Sequence, residues 1–365
     1  MPKIDLHLKA FDESTQEKLG LFRDYIREWL PVFIHDRYVE AIQVFDFFAG
    51  PGKDVEGNPG SPLITCDEIR TALNGAKEEK SPQIRVFFNE CDDPKYRELS
   101  KFIEEQREAM PSVSFETSNH DFHTAFEKWR PKMKGRFANL LFLDQSGVNQ
   151  ITENVFKTIS GLPRTDFIFF ISSAIINRFK GQQGILDSLP VNEEDCLLMN
   201  GTNVHRVVTD AYRRWLPQDT DYFLGPFSIQ KGPNVYGLVF GSGHPLGIDK
   251  FLKLAWKRGG EANFDIDRDG IDPSQPSLFS EYDKPSKIKS FEKELASALF
   301  AQRLKTNKDI YLFTLKNGVL ASHAKDALKQ MVKEEKLPAQ VFHVSYGAWK
   351  KATTETIKHL GGVCT

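Results

Sequence analysis

Residues 44 to 52, Val-Phe-Asp-Phe-Phe-Ala-Gly-Pro-Gly, run from β-branched and aromatic side chains straight into a turn with two glycines. Such a segment is a buried strand ending in a sharp bend, because Gly50 and Gly52 lack a Cβ and let the chain turn and its backbone approach a ligand closely. Asp46 falls near the C-terminal end of that strand, where open α/β sheets place their binding crevice. The pattern predicts a nucleoside-type ligand on the loop Asp46, Phe48, Ala49, Gly50, Pro51 and Gly52. A tight turn after a core strand accounts for the same residues without any ligand.

The rest of the chain supplies a setting for this loop. Leu19, Phe22, Ile26, Trp29 and Leu30 recur at helical spacing and predict an amphipathic helix over residues 14–30. Apolar strands are expected at 84–89, 113–116, 137–143, 167–172 and 235–240, most of them separated by helical segments. That alternation predicts an α/β protein with a doubly wound, Rossmann-like parallel sheet and helices on both faces. Between 259 and 287 the composition shifts to Asp, Gly, Pro and Ser, which reads as a linker. Beyond it a helix at 291–304, a strand at 310–315, a helix at 322–333 and a strand at 340–345 suggest a small winged-helix-like module. The expected organisation is therefore a first domain over 1–260, a linker over 261–287 and a C-terminal module over 288–365.

Length and charge narrow the classes. The 365 residues fit two domains, and 40% hydrophobic residues with 29 Phe supply ample core. With 48 Lys and Arg against 50 Asp and Glu, the net charge of −2 gives no global attraction to nucleic acid or to an anionic membrane. The start of the chain lacks the apolar core of a signal peptide, and no uninterrupted apolar run reaches the roughly 18 residues of a membrane span. A cytoplasmic protein without membrane contact is expected. The four cysteines are scattered and form no C-x-x-C, so neither a disulfide framework nor a metal cluster is predicted.

Three further strand ends carry candidate chemistry. In a doubly wound fold an acid at the end of the second strand accepts hydrogen bonds from ribose hydroxyls, and Glu90 has that position. It lies further from Gly52 than the roughly 20 residues of the dinucleotide fingerprint, which implies an insertion across 53–80. After the third strand, Asn119 and Asp121 offer hydrogen bonds for an adenine edge and Phe122 offers a ring to cover it, although Ser, Asn and Asp before a helix are also ordinary N-caps. Asp144, in Asp-Gln-Ser-Gly at the end of the fourth strand, has a place to orient a nucleophile or accept its proton; a turn-forming Asp is the plainer reading.

Taken together, the segment 25–30, Asp46 to Gly52, Gly60-Ser61-Pro62-Leu63, Asp144 with Gly147, and Gly243-His244-Pro245-Leu246-Gly247 with Trp256 resemble the three-Cys-motif partner proteins. These bacterial proteins carry a class I, S-adenosylmethionine-dependent methyltransferase-like domain and are named for their genomic association with a radical-S-adenosylmethionine-like protein bearing three cysteines. The resemblance spans roughly residues 14 to 260. It implies S-adenosylmethionine as cofactor, Asp46, Gly50 and Gly52 in the cofactor loop, Glu90 as the ribose acid, and the three-cysteine protein as a partner. The family usually follows its fourth-strand Asp with Pro-Phe-Gly, whereas Gln145 and Ser146 stand here. Two function classes follow: a methyltransferase acting on nucleic acid or on its partner's product, with Asp144 taking the proton, or a non-catalytic partner subunit that keeps the fold.

Other features persuade less. Residues 265–270, Asp-Ile-Asp-Arg-Asp-Gly, open like a calcium loop, but position twelve is Pro276 where a bidentate Glu is required. His244 sits among glycines and a proline that describe a structured turn. Arg206, Arg213, Arg214, Lys250, Lys253, Lys257 and Arg258, and separately Lys325, Lys329 and Lys333, suit a phosphate-facing groove or the solvated faces of amphipathic helices.

Overall fold

The computed structural model describes residues 10–75, 82–145, 149–172, 176, 189–199, 203–216, 222–231, 234–258 and 287–359. The chain divides into two compact units, Met1–His244 and Pro245–Thr365.

The first unit opens with α1 (Glu13–Ile34), capped by Asp12, whose carboxylate accepts from the Thr15 amide at 2.8 Å. Its buried residues include Leu19, Phe22, Tyr25, Ile26, Trp29 and Leu30, which contain the apolar stripe of the sequence. The sheet follows, with β1 (Ala41–Asp46), β2 (Gln83–Asn89), β3 (Val113–Ser118), β4 (Phe137–Leu143), β5 (Thr165–Ile171), β6 (Phe223–Lys231) and β7 (Asn234–Ser242). Their spatial order is β3-β2-β1-β4-β5-β7-β6. β1 to β5 pair in parallel, while β7 runs antiparallel to both β5 and β6. The antiparallel hairpin departs from the all-parallel expectation, and β6 is a strand that the sequence pattern did not reveal.

Alternation along the strands separates two apolar faces. Phe45, Leu141, Leu143, Phe167, Phe169 and Val239 pack with α4 (Phe122–Trp129), α5 (Glu153–Ser160) and α7 (Val204–Arg213), where Trp129, Phe156 and Tyr212 fill the space. The intervening residues face α1: Phe142 lies 4.2 Å from Phe22 and Phe240 lies 4.8 Å from Tyr25, centroid to centroid. Each such ring taken from water contributes about 1.5–3 kcal/mol. The remaining helices of this unit are α2 (Ser61–Gly75), α3 (Asp93–Ala109) and α6 (Glu193–Leu198).

The second unit consists, among its described residues, of α8 (Pro245–Lys257), α9 (Lys287–Phe300), α10 (Asn307–Lys316), α11 (Ala321–Lys333) and α12 (Tyr346–Lys350). Two expectations fail here. Residues 310–315 are helical, because Thr306 and Asp309 form a reciprocal capping box that starts α10. Residues 340–345 form no strand; instead the C-terminal segment bonds back to the start of α10 through Asn307 N to Glu355 O (2.9 Å) and Ile357 N to Lys305 O (2.8 Å). The unit boundary also falls at His244/Pro245, so α8, expected to close the first domain, packs with α10 and α12. Nearly all of the expected linker lies outside the described residues, and so does the calcium-like segment 265–270.

Candidate functional site

β1 has β2 on one side and β4 on the other, so the strand order reverses beside it; open α/β sheets bind their ligands at such a switch point, outside the carboxyl ends of the strands. The glycine turn stands there. Gly50 has φ 64° and Gly52 φ 102°, left-handed values that a side chain resists. At Gly52 the need is conformational, since an added Cβ would meet Phe102 only at an ordinary 3.5 Å. The close approach falls on Gly60, whose Cβ would press to 3.0 Å from the Gly52 carbonyl oxygen, the same oxygen that accepts from the Gly60 amide at 2.9 Å.

The turn is held by the next strand. The Glu90 carboxylate faces it, accepting from the Gly50 amide at 2.8 Å through Oε2 and from the Asp92 amide at 2.8 Å through Oε1. Each oxygen keeps a second acceptor position. Asn89, a residue that motif reasoning missed, ties three strand ends together. Its Nδ2 donates to the carbonyls of Phe47 (3.2 Å) and His120 (2.9 Å), its Oδ1 accepts from the Ser118 hydroxyl (2.7 Å), and its carbonyl accepts from the Ala49 amide (2.9 Å). A lone amide closing an apolar strand beside an acid was the available signal. Asn119 joins the same cluster, its side chain donating to the Glu90 carbonyl at 2.8 Å.

Asp46 is fully buried. Its Oδ1 accepts from the Phe48 amide at 3.1 Å, while Oδ2 has no partner of good geometry; the Ser61 hydroxyl also acts on the carboxyl. Burial pushes the carboxyl up to about 7; Ser61 and the Phe48 amide oppose the shift, and the Asp144 and Glu90 carboxylates add to it. Asp144 extends from the end of β4 and is met by Lys18 of α1, whose ammonium pairs with Asp144 Oδ2. Nothing in the local sequence of Lys18 signalled this contact.

The other expected residues fall as follows. Pro51 and Gly52 are buried in the turn. The Phe48 and Phe122 rings stack at 5.3 Å, and Phe122 is itself almost wholly buried. Asp121 is exposed and caps α4, with both carboxylate oxygens on Thr124 (3.1 Å to the amide, 2.5 Å to the hydroxyl). Gln145 turns to β5, donating to the Phe170 carbonyl at 3.0 Å and accepting from the Gln150 amide at 3.1 Å; Ser146 and Gly147 lie outside the described residues. His244 belongs to a turn in which the Ser242 hydroxyl accepts its amide at 3.2 Å and donates to its carbonyl at 3.1 Å. The seven basic residues on two helices divide between the units: Arg206, Arg213 and Arg214 lie in the first, the other four in the second. In the second unit's α11, Lys329 pairs with Asp326 at 3.5 Å.

Two concavities lie elsewhere. One of about 270 Å³ lies in the second unit among Asn307, His343, Ser345, Lys351 and Glu355, and one of about 180 Å³ lies between α1 and the 58–59 loop. Neither is bounded by the glycine turn, whose residues 49–52 are buried. What sets the turn apart is its geometry, two left-handed glycines held by the Glu90 carboxylate. Among the described residues no three His, Cys, Asp or Glu side chains converge as a metal site, and no helix is long and apolar enough to cross a membrane.

Five parallel strands, an antiparallel β7 inserted before β6, and a glycine turn at the switch point define a Rossmann-like α/β unit of the class I methyltransferase fold. The C-terminal region matches, over residues 265–339, the family model described as GMT-like wHTH domain. Solved structures similar to this chain include Trm1 from Pyrococcus horikoshii in complex with S-adenosyl-L-methionine, at 14% identity and TM-score 0.38 over 97% of this chain and 92% of that one. They also include SCL7 of Oryza sativa (10%, TM-score 0.33, 63% and 82%) and the methyltransferase domain of METTL16 lacking its N-terminal segment (12%, TM-score 0.29, 61% and 83%). No curated protein matches the chain in sequence.

Proposed function

We propose that the first unit binds S-adenosylmethionine on the glycine turn and transfers its methyl group to nucleic acid or to the product of a three-cysteine, radical-S-adenosylmethionine-like partner, as a member of the three-Cys-motif partner family. One observation carries the cofactor reading: two left-handed glycines at the switch point, clasped by a carboxylate from the neighbouring strand. The residues fit the group. Glu90 retains acceptor positions for two ribose hydroxyls, and the buried, unpartnered Oδ2 of Asp46 suits a cationic ligand. Phe48 and Asn119 border the same edge, with Phe122 stacked beneath Phe48.

When bound, S-adenosylmethionine supplies an electrophilic methyl group; the chain contributes alignment and proton removal. Asp144 is the residue we assign to the proton of the acceptor. A second reading, a partner subunit that keeps the fold without catalysis, is favoured by the burial of the turn and by the ion pair that occupies Asp144.

Isothermal titration with S-adenosylmethionine and S-adenosylhomocysteine tests the site. Gly52→Val and Glu90→Ala are each expected to weaken both ligands at least tenfold, and wild-type affinity in both variants would reject the assignment. Labelled cofactor incubated with total RNA, DNA and the three-cysteine protein tests transfer. Label in none of these, with binding intact, favours the non-catalytic reading.

A further inference from the structure

Lys18 stands at the second turn of α1, and it is an unusual lysine for a helix surface. Its side chain is 17% exposed, whereas a lysine beside water ordinarily lays its stem on the protein and keeps its ammonium in solvent. Here two contacts of different kinds hold the ammonium. It pairs with Asp144 Oδ2, and it lies 4.9 Å from the centroid of the Phe170 ring. The pair joins residues 126 apart in sequence, so the helix that opens the unit is tied to the end of β4.

The partner of this lysine belongs to a row of acids. Asp46 is register partner to Phe142, two residues before Asp144, and the Asp144 and Glu90 carboxylates both act on the Asp46 carboxyl through space. Three acids thus line the ends of β2, β1 and β4, and Lys18 is the cation paired with the last of them. An exposed ion pair contributes little and is screened by salt. A pair drawn partly out of water, beside a buried carboxyl, changes the potential felt by whatever occupies the edge.

We infer that Lys18 is the counter-ion and positioning residue of the candidate site: it fixes Asp144 at the β4 end of the acidic edge and sets how strongly that edge prefers a cationic ligand to a neutral one of nearly the same shape. The inference rests on the S-adenosylmethionine reading. The sulfonium cofactor and its thioether product differ by a methyl group and one positive charge, so the ratio of their affinities reports the charge of the edge with little contribution from shape. Removing Lys18 leaves Asp144 uncompensated and favours the sulfonium. Removing the Asp144 charge leaves Lys18 uncompensated and disfavours it. Removing both restores the original balance.

The experiment is isothermal titration of the full chain with S-adenosylmethionine and S-adenosylhomocysteine, on wild type, Lys18→Arg, Lys18→Met, Asp144→Asn and the double variant Lys18→Met/Asp144→Asn. Expressed as product Kd over cofactor Kd, the ratio is expected to rise about threefold or more in Lys18→Met and to fall by a similar factor in Asp144→Asn. It should return to the wild-type value in the double variant and stay there in Lys18→Arg. A purely structural lysine would weaken both ligands together and leave the ratio alone. Equal ratios in all proteins, with both ligands bound, overturn the inference while leaving the cofactor site standing. A wild type that binds neither ligand overturns the cofactor reading first and this inference with it. Should Lys18→Met not fold, Asp144→Asn reads the same balance from the other side, and an unmoved ratio there is equally fatal.

Discussion

Burial of Asp46 has a consequence that pH titration can read. Its ordinary carboxyl value is 3.8 and the folded value is about 7, so the native state favours the protonated form. The stabilisation this gives is complete below the ordinary value and is lost as pH climbs through the folded one. Asp166, buried at the start of β5 and bonded to the Tyr25 hydroxyl at 2.6 Å, is pushed up by burial to about 6 and acts in the same direction. Urea unfolding should therefore show stability falling between pH 5 and pH 8; Asp46→Asn should remove part of that slope, and a slope unchanged in the variant would count against the burial argument. For the ligand the sign reverses. A cation beside Asp46 favours its carboxylate, so affinity for S-adenosylmethionine should rise from pH 6 to pH 8 in wild type and stay flat in Asp46→Asn, as titration calorimetry at the two pH values would show. Gly50, Gly52 and Glu90 were legible in the sequence because turn chemistry and strand-end acids are local signals. Lys18 was not, since its partner is distant in the chain and only the tertiary fold brings the two together.

At the scale of elements, β7 contains a glycine whose side-chain space is already filled by an aromatic ring. A Cβ on Gly241 would stand 2.2 Å from the Phe167 ring, which is wedged between Phe169 and Tyr222 at 5.5 and 6.0 Å. Gly241→Ala should cost about 1–3 kcal/mol by overpacking. The cost should shrink in a Phe167→Leu background, where the two changes share one space and cannot add; chemical denaturation of the four proteins measures it. In the second unit, Thr306→Ala removes the cap of α10 and should cost about 1 kcal/mol. That cap also explains a misreading. Ile310 to Leu315 is rich in β-favouring residues, yet the capping pair Thr306 and Asp309 just before it outweighs propensity and tertiary packing completes the helix. β6 escaped notice for the opposite reason. Gly225 and Pro226 interrupt its pattern, and a proline is tolerated there because, among the described residues, β6 pairs only with β7 and forms the edge of the sheet.

For the whole molecule, the parallel core of five strands was readable from alternation, whereas the division between units was not. Composition changes near residue 259, but packing changes at 244, because α8 buries Ile248, Phe251, Leu252 and Ala255 within the second unit. A fragment ending at residue 260 should thus expose that apolar face and self-associate, whereas one ending at His244 should remain monodisperse, as size-exclusion chromatography of the two would reveal. The Asn89 amide has a consequence at this scale as well. It fastens the loops that follow β1, β2 and β3 into a single piece, while the segment after β4 answers instead to Gln145 and to the opening helix. Variation in one of the first three loops is therefore felt by its neighbours, but the fourth can diverge alone.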